Sequence, residues 1–331
     1  MSRPSKTEIK FLKVIAFILS LVLLVSSCVL ILEVIDRLSG VSDITDDISN
    51  VDIIYKNDEY VFRDGIETLL IMGLDKYDGE ISNAGYNNDQ QADFLVLLVF
   101  DNTNKKCSAI HINRDTMAEI NVLGIAGEKI DIVTKQLALA HTYGNGKEVS
   151  CRNTSQAVSK LLLDARIKHY VSLTMDSVEI INDSVGGVEV TVLDDFGEYD
   201  KELVKGSKVT LKGKQALTYV RSRYGIDDSS NSNRMLRQRQ YLKALYNKLV
   251  DCSKSDQDFV VETSLKISDY LVSDCSVNRL QQMFEKFSQY EFTDISSIEG
   301  EYIVGEEFME FYPNEDSLTK IVVDNFCEKK K

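Results

Sequence analysis

Tryptophan is absent from the 331 residues, and proline occurs only twice. Turns must therefore be built from Gly, Asn and Asp. Positive charge is scarce: 38 Lys and Arg stand against 52 Asp and Glu, a formal net charge of -14. That balance argues against a nucleic-acid surface over the whole molecule. There is no CxxC pair and no GxxxxGKS loop, so neither a zinc site nor a P-loop nucleotide site is signalled. Lysine is missing from Thr218 to Leu242 (TYVRSRYGIDDSSNSNRMLRQRQYL), yet that stretch holds five arginines: Arg221, Arg223, Arg234, Arg237 and Arg239.

One long run lacks charge altogether. Val14 to Leu32 (VIAFILSLVLLVSSCVLIL) is just long enough to span a bilayer as a helix. Arg3, Lys6, Lys10 and Lys13 precede it, and an acidic segment through Asp47 follows. Positive charge stays inside, so the expectation is a single-pass membrane protein with a cytoplasmic tail over 1–13, an anchor over 14–32 and everything else outside the cell. VSSC at Val25–Cys28 has the look of a lipoprotein signal, but the apolar run continues past Cys28. Beyond the anchor lie Cys107, Cys151, Cys252, Cys275 and Cys327, an odd number. They are read as mostly small buried apolar residues, with room for one unassignable disulfide.

Residues 33–63 are polar and acidic and read as a stalk, partly helical. A packed domain is expected over 64–331. ETLLIMGLD (67–75) and FLVLLVF (94–100) read as buried strands, the second unbroken enough to be central. CSAIHINRD (107–115) returns as another strand after a polar turn. KIDIVTKQLALAHTYG (129–144) reads as a short helix ending at Gly144. Further elements are a helix over 155–165, a strand over 168–175, helix, Gly-Gly turn and strand over 178–192, and a long amphipathic helix over 235–250. Strands alternating with helices give an α/β or α+β class with helices packed on a sheet.

Arginine in place of lysine is informative, because its planar fork holds two phosphate oxygens at once and keeps its charge when partly buried. An extended YVRSR points Arg221 and Arg223 to one side. A helix through NRMLRQRQYLKAL puts Arg234, Arg237, Gln238 and Tyr241 on one face, with Arg239 well round it as a solvated charge. Arg114 ends a strand in NRD. Asp75 ends one core strand and Asp93 begins the next, so antiparallel neighbours bring the two together. A carboxylate pair facing arginines suits a divalent metal with phosphates between, and magnesium is commonly held that way.

The order GLD, ADFLVLLVFDNTNKKCSAIHINRDT, KQLALAHTYG, HYVSLTM, NDSVGGVEV, LKGKQALTYVRSR, NRMLRQRQ resembles the LytR-CpsA-Psr family, over roughly 64–250, with 251–331 as an extension of the same domain. The resemblance implies an α/β fold, a central mixed β-sheet with helices on both faces and a greasy cleft for a polyprenyl chain. It also implies a cell-wall phosphotransferase that moves an anionic glycopolymer from a polyprenyl-pyrophosphate carrier to a hydroxyl of peptidoglycan. Carried onto this chain, Asp75 and Asp93 match the metal-binding aspartates, for Mg2+ or Mn2+. Arg114, Arg221, Arg223, Arg234 and Gln238 match the arginine and glutamine positions of the pyrophosphate site, with Arg237 between the last two. Asp75, Asp93, Arg114, Arg221 and Arg223 are the expected catalytic group. The base is expected to be Asp75 or Asp93, with Asp227 and Asp228 as weaker candidates. Two departures stand out: Gln91 where an arginine is usual, removing one charge, and Asn113 in place of a proline, expected to matter little. A non-catalytic lipid-phosphate-binding or regulatory protein and a pyrophosphate hydrolase are the competing readings, and DNA contact is not expected.

Overall fold

The computed structural model describes residues 52–74, 88–227, 229–306 and 308–330. The apolar span 14–32, Asp75 and Asp228 lie outside them. Among the described residues no helix is long and apolar enough to cross a membrane. The compact unit runs from Asp52 to Lys331.

Its centre is a six-stranded mixed sheet. The strands are β3 (Ile66–Leu74), β4 (Ala92–Asp101), β5 (Lys106–Ile112), β8 (His169–Thr174), β11 (Leu271–Ser273) and β12 (Glu291–Ser296), in the order β11-β8-β3-β4-β5-β12. Strand β4 runs antiparallel to both its neighbours, β3 and β5, whereas β8 is parallel to β3 and β12 is parallel to β5. The unbroken apolar run of β4 follows from its place in the middle. Leu95, Leu97 and Val99 face one core, which includes Ala157 and Val158 of α1 (Glu148–Leu161) and Val322 of α7 (Glu315–Phe326). Val96, Leu98 and Phe100 face the other side, where Leu242 of α4 (Asn231–Ser255) and Met283 and Phe287 of α6 (Val277–Phe287) pack. Buried on both faces, such a strand has no polar side to show.

A second core joins the hairpin β9 (Val188–Thr191) and β10 (Lys208–Leu211) to three helices, α3 (Lys214–Arg221), α4 and α5 (Phe259–Lys266). Helix α2 (Asp176–Ser184) leads into β9 through Gly186 and Gly187, both at positive φ. A Cβ at Gly187 would lie 2.7 Å from the Leu211 carbonyl oxygen, so only glycine fits this turn.

Two stretches depart from expectation. Residues 129–144 are not a helix: β7 (Lys129–Gln136) pairs antiparallel with β6 (Met117–Leu123), and only Leu137–Thr142 form a 3₁₀ turn. The β-branched run Ile130, Ile132, Val133, Thr134 favours the strand, and both faces of β7 are largely exposed, which conceals its period of two. The residues assigned to the end of a partly helical stalk belong to the fold. β1 (Ile53–Tyr55) and β2 (Asp58–Phe62) make a sheet with β15 (Cys327–Lys329), in the order β1-β2-β15. Lys330 Nζ lies 2.6 Å from Asp52 Oδ2, tying the two ends of the unit. The remaining hairpin, β13 (Gly300–Val304) with β14 (Met309–Pro313), follows β12.

All five described cysteines are free thiols. Burial pushes Cys107 and Cys151 up to about 12, which keeps them protonated and unreactive. Burial also lowers two histidines, His111 to about 3 and His141 to about 4, so both are neutral in the folded chain. The unfolded chain takes up these protons near the ordinary value of 6.5, the folded chain only below 4. Stability is therefore expected to be full above 6.5 and to fall as pH drops from 6.5 towards 3, by on the order of 3 kcal/mol per histidine. Denaturant midpoints measured at pH 7.5, 5.5 and 4.5 check this; His141→Gln should flatten the profile, and an unchanged profile would rule it out.

Candidate active site

The site begins at one end of the central sheet. Leu95 pairs with Ile112, and continuing that antiparallel register by two residues sets Asp93 opposite Arg114. The side chains meet: Arg114 Nη1 is ion-paired with Asp93 Oδ1. Arg114 Nη2 donates to Gln91 Oε1 at 2.8 Å, and its Nε lies 3.3 Å from Asp115 Oδ1. Gln91 therefore does more than omit a charge, since it accepts a hydrogen bond that orients the arginine beside it. Leu74 pairs with Ala92, which brings the chain leading into Asp75 alongside Asp93; Asp75 itself is outside the described residues. Ala138 N–H, in the 3₁₀ turn, holds the Arg114 carbonyl at 3.0 Å.

The opposite wall comes from α3 and α4. Helix α3 runs through Arg221 and Ser222 turns extended, so the condition for Arg221 and Arg223 to point to one side, an extended YVRSR, is not met. Arg221 is the last helical residue and Arg223 follows two positions on. Helix α4 opens with Ser230 as N-cap, its side chain accepting from the Asn233 N–H at 3.1 Å, and Arg234 lies in the first turn. The N-terminus of a long helix adds its own partial positive charge there. Behind Arg234 sits a buried hub. Asn231 Oδ1 accepts from Arg234 Nη2 at 2.7 Å, while its Nδ2 donates to Asn113 Oδ1 at 2.9 Å and Asp115 Oδ2 at 3.1 Å. Asn113 also donates to the Tyr302 hydroxyl at 2.7 Å. A proline at 113 would supply none of these contacts, so the substitution matters more than its sequence position suggested.

Together these walls enclose a pocket of about 520 Å³ lined by Arg114, Arg221, Arg223 and Arg234, with Asp93 and Asp115 among them. Burial, then the charges of Arg114 and Arg223, pull Arg234 down to about 10. Cations crowded this way are stabilised by an anion of several negative charges. The pocket carboxylates are hard oxygen donors and, among the described residues, no thiol or imidazole lines it, a donor set that fits Mg2+ or Mn2+. The three-residue His/Cys/acid group found among the described residues, His169, Asp274 and Cys275, lies elsewhere.

Two of the expected phosphate ligands are absent from this lining. Arg237 is 1% exposed; its Nη1 is 3.2 Å from Asp194 Oδ2, Nη2 donates to the Ser222 carbonyl, and the guanidinium lies 5.1 Å from the Phe196 ring centre. It braces the segment between Arg221 and Arg223 from within the second core. Gln238 donates to the Val220 carbonyl at 3.1 Å and lines a different cavity. Arg239 is half-buried rather than solvated. Burial lowers it, with Asp294 acting the other way. Asp227 accepts from Asn233 Nδ2 at 2.6 Å and does not line the pocket.

The different cavity is apolar, about 240 Å³, between the sheet and α2 and α4. Ile71, Phe94, Val178, Tyr241 and Leu245 line it, and so does Arg221. Gly73 is among its walls, and a Cβ there would meet Phe94 Cβ at 2.9 Å. A further apolar cavity of about 220 Å³ shares Ile71, Leu242 and Leu249 with it and continues towards α6.

The family model described as LytR_cpsA_psr matches residues 34–322. The chain belongs to the LytR-CpsA-Psr family. Among curated relatives it is 28% identical over 203 residues to the polyisoprenyl-teichoic acid–peptidoglycan teichoic acid transferase TagU of Bacillus licheniformis, covering 60% of this chain and 58% of that protein. The crystal structure of B. subtilis TagV matches with a TM-score of 0.58 at 22% identity, over 80% of this chain and 98% of that one. A structure of TagT bound to LI-WTA matches at 0.59 and 20%, over 79% and 91%. These likenesses fix the fold.

In this LytR-CpsA-Psr domain, sequence motifs did not single out Asp115, although it follows Arg114 in NRD. Asn231 was equally hidden. Its signal was its position, three residues before Arg234 at the start of a helix, where an amide can serve the arginine one turn on.

Proposed function

We propose that this protein transfers an anionic glycopolymer from a polyprenyl-pyrophosphate carrier to a hydroxyl of peptidoglycan. The observation that carries the reading is Arg221, which lines both the four-arginine pocket and the apolar cavity. A ligand with a pyrophosphate head and a long hydrocarbon tail matches that junction. The teichoic acid transferase activity for which the relatives are named agrees with it.

In this mechanism Arg114, Arg221, Arg223 and Arg234 bind the pyrophosphate oxygens and orient it. The acceptor hydroxyl oxygen attacks the phosphorus that bears the glycopolymer. The bond from that phosphorus to the bridging oxygen breaks, and its electrons leave with the polyprenyl phosphate. Arginines fixed in advance stabilise the negative charge that grows on the leaving group. The hydroxyl proton passes to a carboxylate: Asp93, at the end of the sheet, or Asp75. Asp93 and Asp75 would also hold a divalent cation, which when bound supplies further charge neutralisation at the pyrophosphate.

Asp93→Asn tests the reading. Transfer from purified lipid-linked polymer is expected to drop about a hundredfold or more, while polyprenyl phosphate still co-purifies and is seen by mass spectrometry. Undiminished transfer, with or without Mg2+, would sink the mechanism.

A further inference from the structure

The mouth of the arginine pocket is lined by side chains that neither charge neutralisation nor the fold requires. Tyr199, Tyr224 and Phe308 line it at 52%, 69% and 61% exposure, and Met309 is beside them. None of the four lines the apolar cavity that meets Arg221, so they are not placed for a hydrocarbon tail. They come from two separate segments, 199–224 and the β13–β14 hairpin. On the first, the Tyr199 hydroxyl donates to the Tyr224 carbonyl at 2.9 Å, and Arg223 lies 4.6 Å from the centre of the Tyr224 ring. On the second, Gly305 N–H donates to the Phe308 carbonyl at 2.9 Å, closing the turn, and Val304, the cross-strand partner of Met309, is also exposed. The result is an apolar strip with aromatic faces that starts at the phosphate pocket and runs outward along the hairpin.

We infer that this strip is the binding platform for the acceptor glycan strand, taking N-acetylated pyranose rings against Tyr199, Tyr224 and Phe308. The inference rests on the transferase reading above and names how its acceptor is held. The donor is anchored by its charges and its tail. The rings of the acceptor strand have no charge for the arginines to use, so aromatic faces are the chemistry left for them. A pyranose offers one apolar C–H face to a ring and hydroxyls at its rim, which suits half-exposed tyrosines. A strip that extends beyond the pocket fits a polymer better than the single sugar next to the pyrophosphate.

Phe308 is the residue to change, because it is exposed and belongs to none of the hydrophobic cores. With the full chain and N-acetylglucosamine tetrasaccharide as the probe, Phe308→Trp introduces the sole indole in a chain that has none. Its fluorescence is expected to shift on adding the tetrasaccharide and to stay unchanged with inorganic phosphate. Phe308→Ala is expected to raise the acceptor KM about tenfold in the transfer assay, with kcat and retained polyprenyl phosphate as in the parent, and Phe308→Trp to restore it. A silent indole would overturn the inference. So would a Phe308→Ala variant that loses donor lipid as much as acceptor, which assigns the strip to the donor's own sugars. Failure of the transferase reading has a different signature: no polyprenyl phosphate retained by the parent protein, whatever stands at 308.

Discussion

Arg237→Ala is expected to destabilise the domain by about 3–5 kcal/mol, the largest stability loss among the arginines of this stretch. The reason lies in what remains. Asp194 is buried with Arg237 as its partner, and the truncation leaves a carboxylate in the second core facing Phe196 and Tyr219. The Ser222 carbonyl loses its donor as well. At about 2–4 °C per kcal/mol for a domain of this size, the melting temperature should fall by roughly 10 °C. The double change Arg237→Met with Asp194→Leu removes both charges together and should recover much of the loss. A single variant that melts like the parent but fails to hold lipid would return Arg237 to the ligand-binding group.

Arg221→Ala is expected to do the opposite: weaken retention of polyprenyl pyrophosphate by about 10- to 150-fold and leave the melting temperature almost unmoved. One charge-assisted contact is worth about 1.5–3 kcal/mol, which is that range of affinity. Its side chain is exposed at the end of α3, so little packing is lost. Arg239→Ala is the control. It feels the charge of Asp294 and lines neither the pocket nor the apolar cavity, so lipid retention should hold. Equal losses from the two variants, measured by lipid mass spectrometry at fixed salt, would show that general positive charge rather than the placement of Arg221 retains the ligand.

The strands at the centre were legible because burial on two faces writes an unbroken apolar run, as in FLVLLVF. β7 was not legible, since a strand exposed on both faces carries no such contrast. The face shared by Arg234, Arg237, Gln238 and Tyr241 was also correctly spaced, and all four are buried. Spacing gives direction round a helix but not depth along it. Arg234 is in the first turn of α4, at the pocket; one turn later the same face has entered the second core, where Arg237 meets Asp194 instead of a ligand. The same limit hid Asn231 and Asp115. Their importance lies in hydrogen bonds between segments more than a hundred residues apart, 113–115 and 231, and no local pattern records such a meeting.

Because β2 lies hydrogen-bonded beside β15, the opening hairpin β1–β2 and the last strand share one small sheet, and the two ends of the unit meet there. Tension applied at residue 52 passes across that ladder, and through the Asp52–Lys330 contact, directly to the final strand. It need not travel through the central sheet, whose far ends carry Asp93 and Arg114. A domain built this way takes a pull on residue 52 into its own last strand before it reaches the strand ends that hold Asp93 and Arg114.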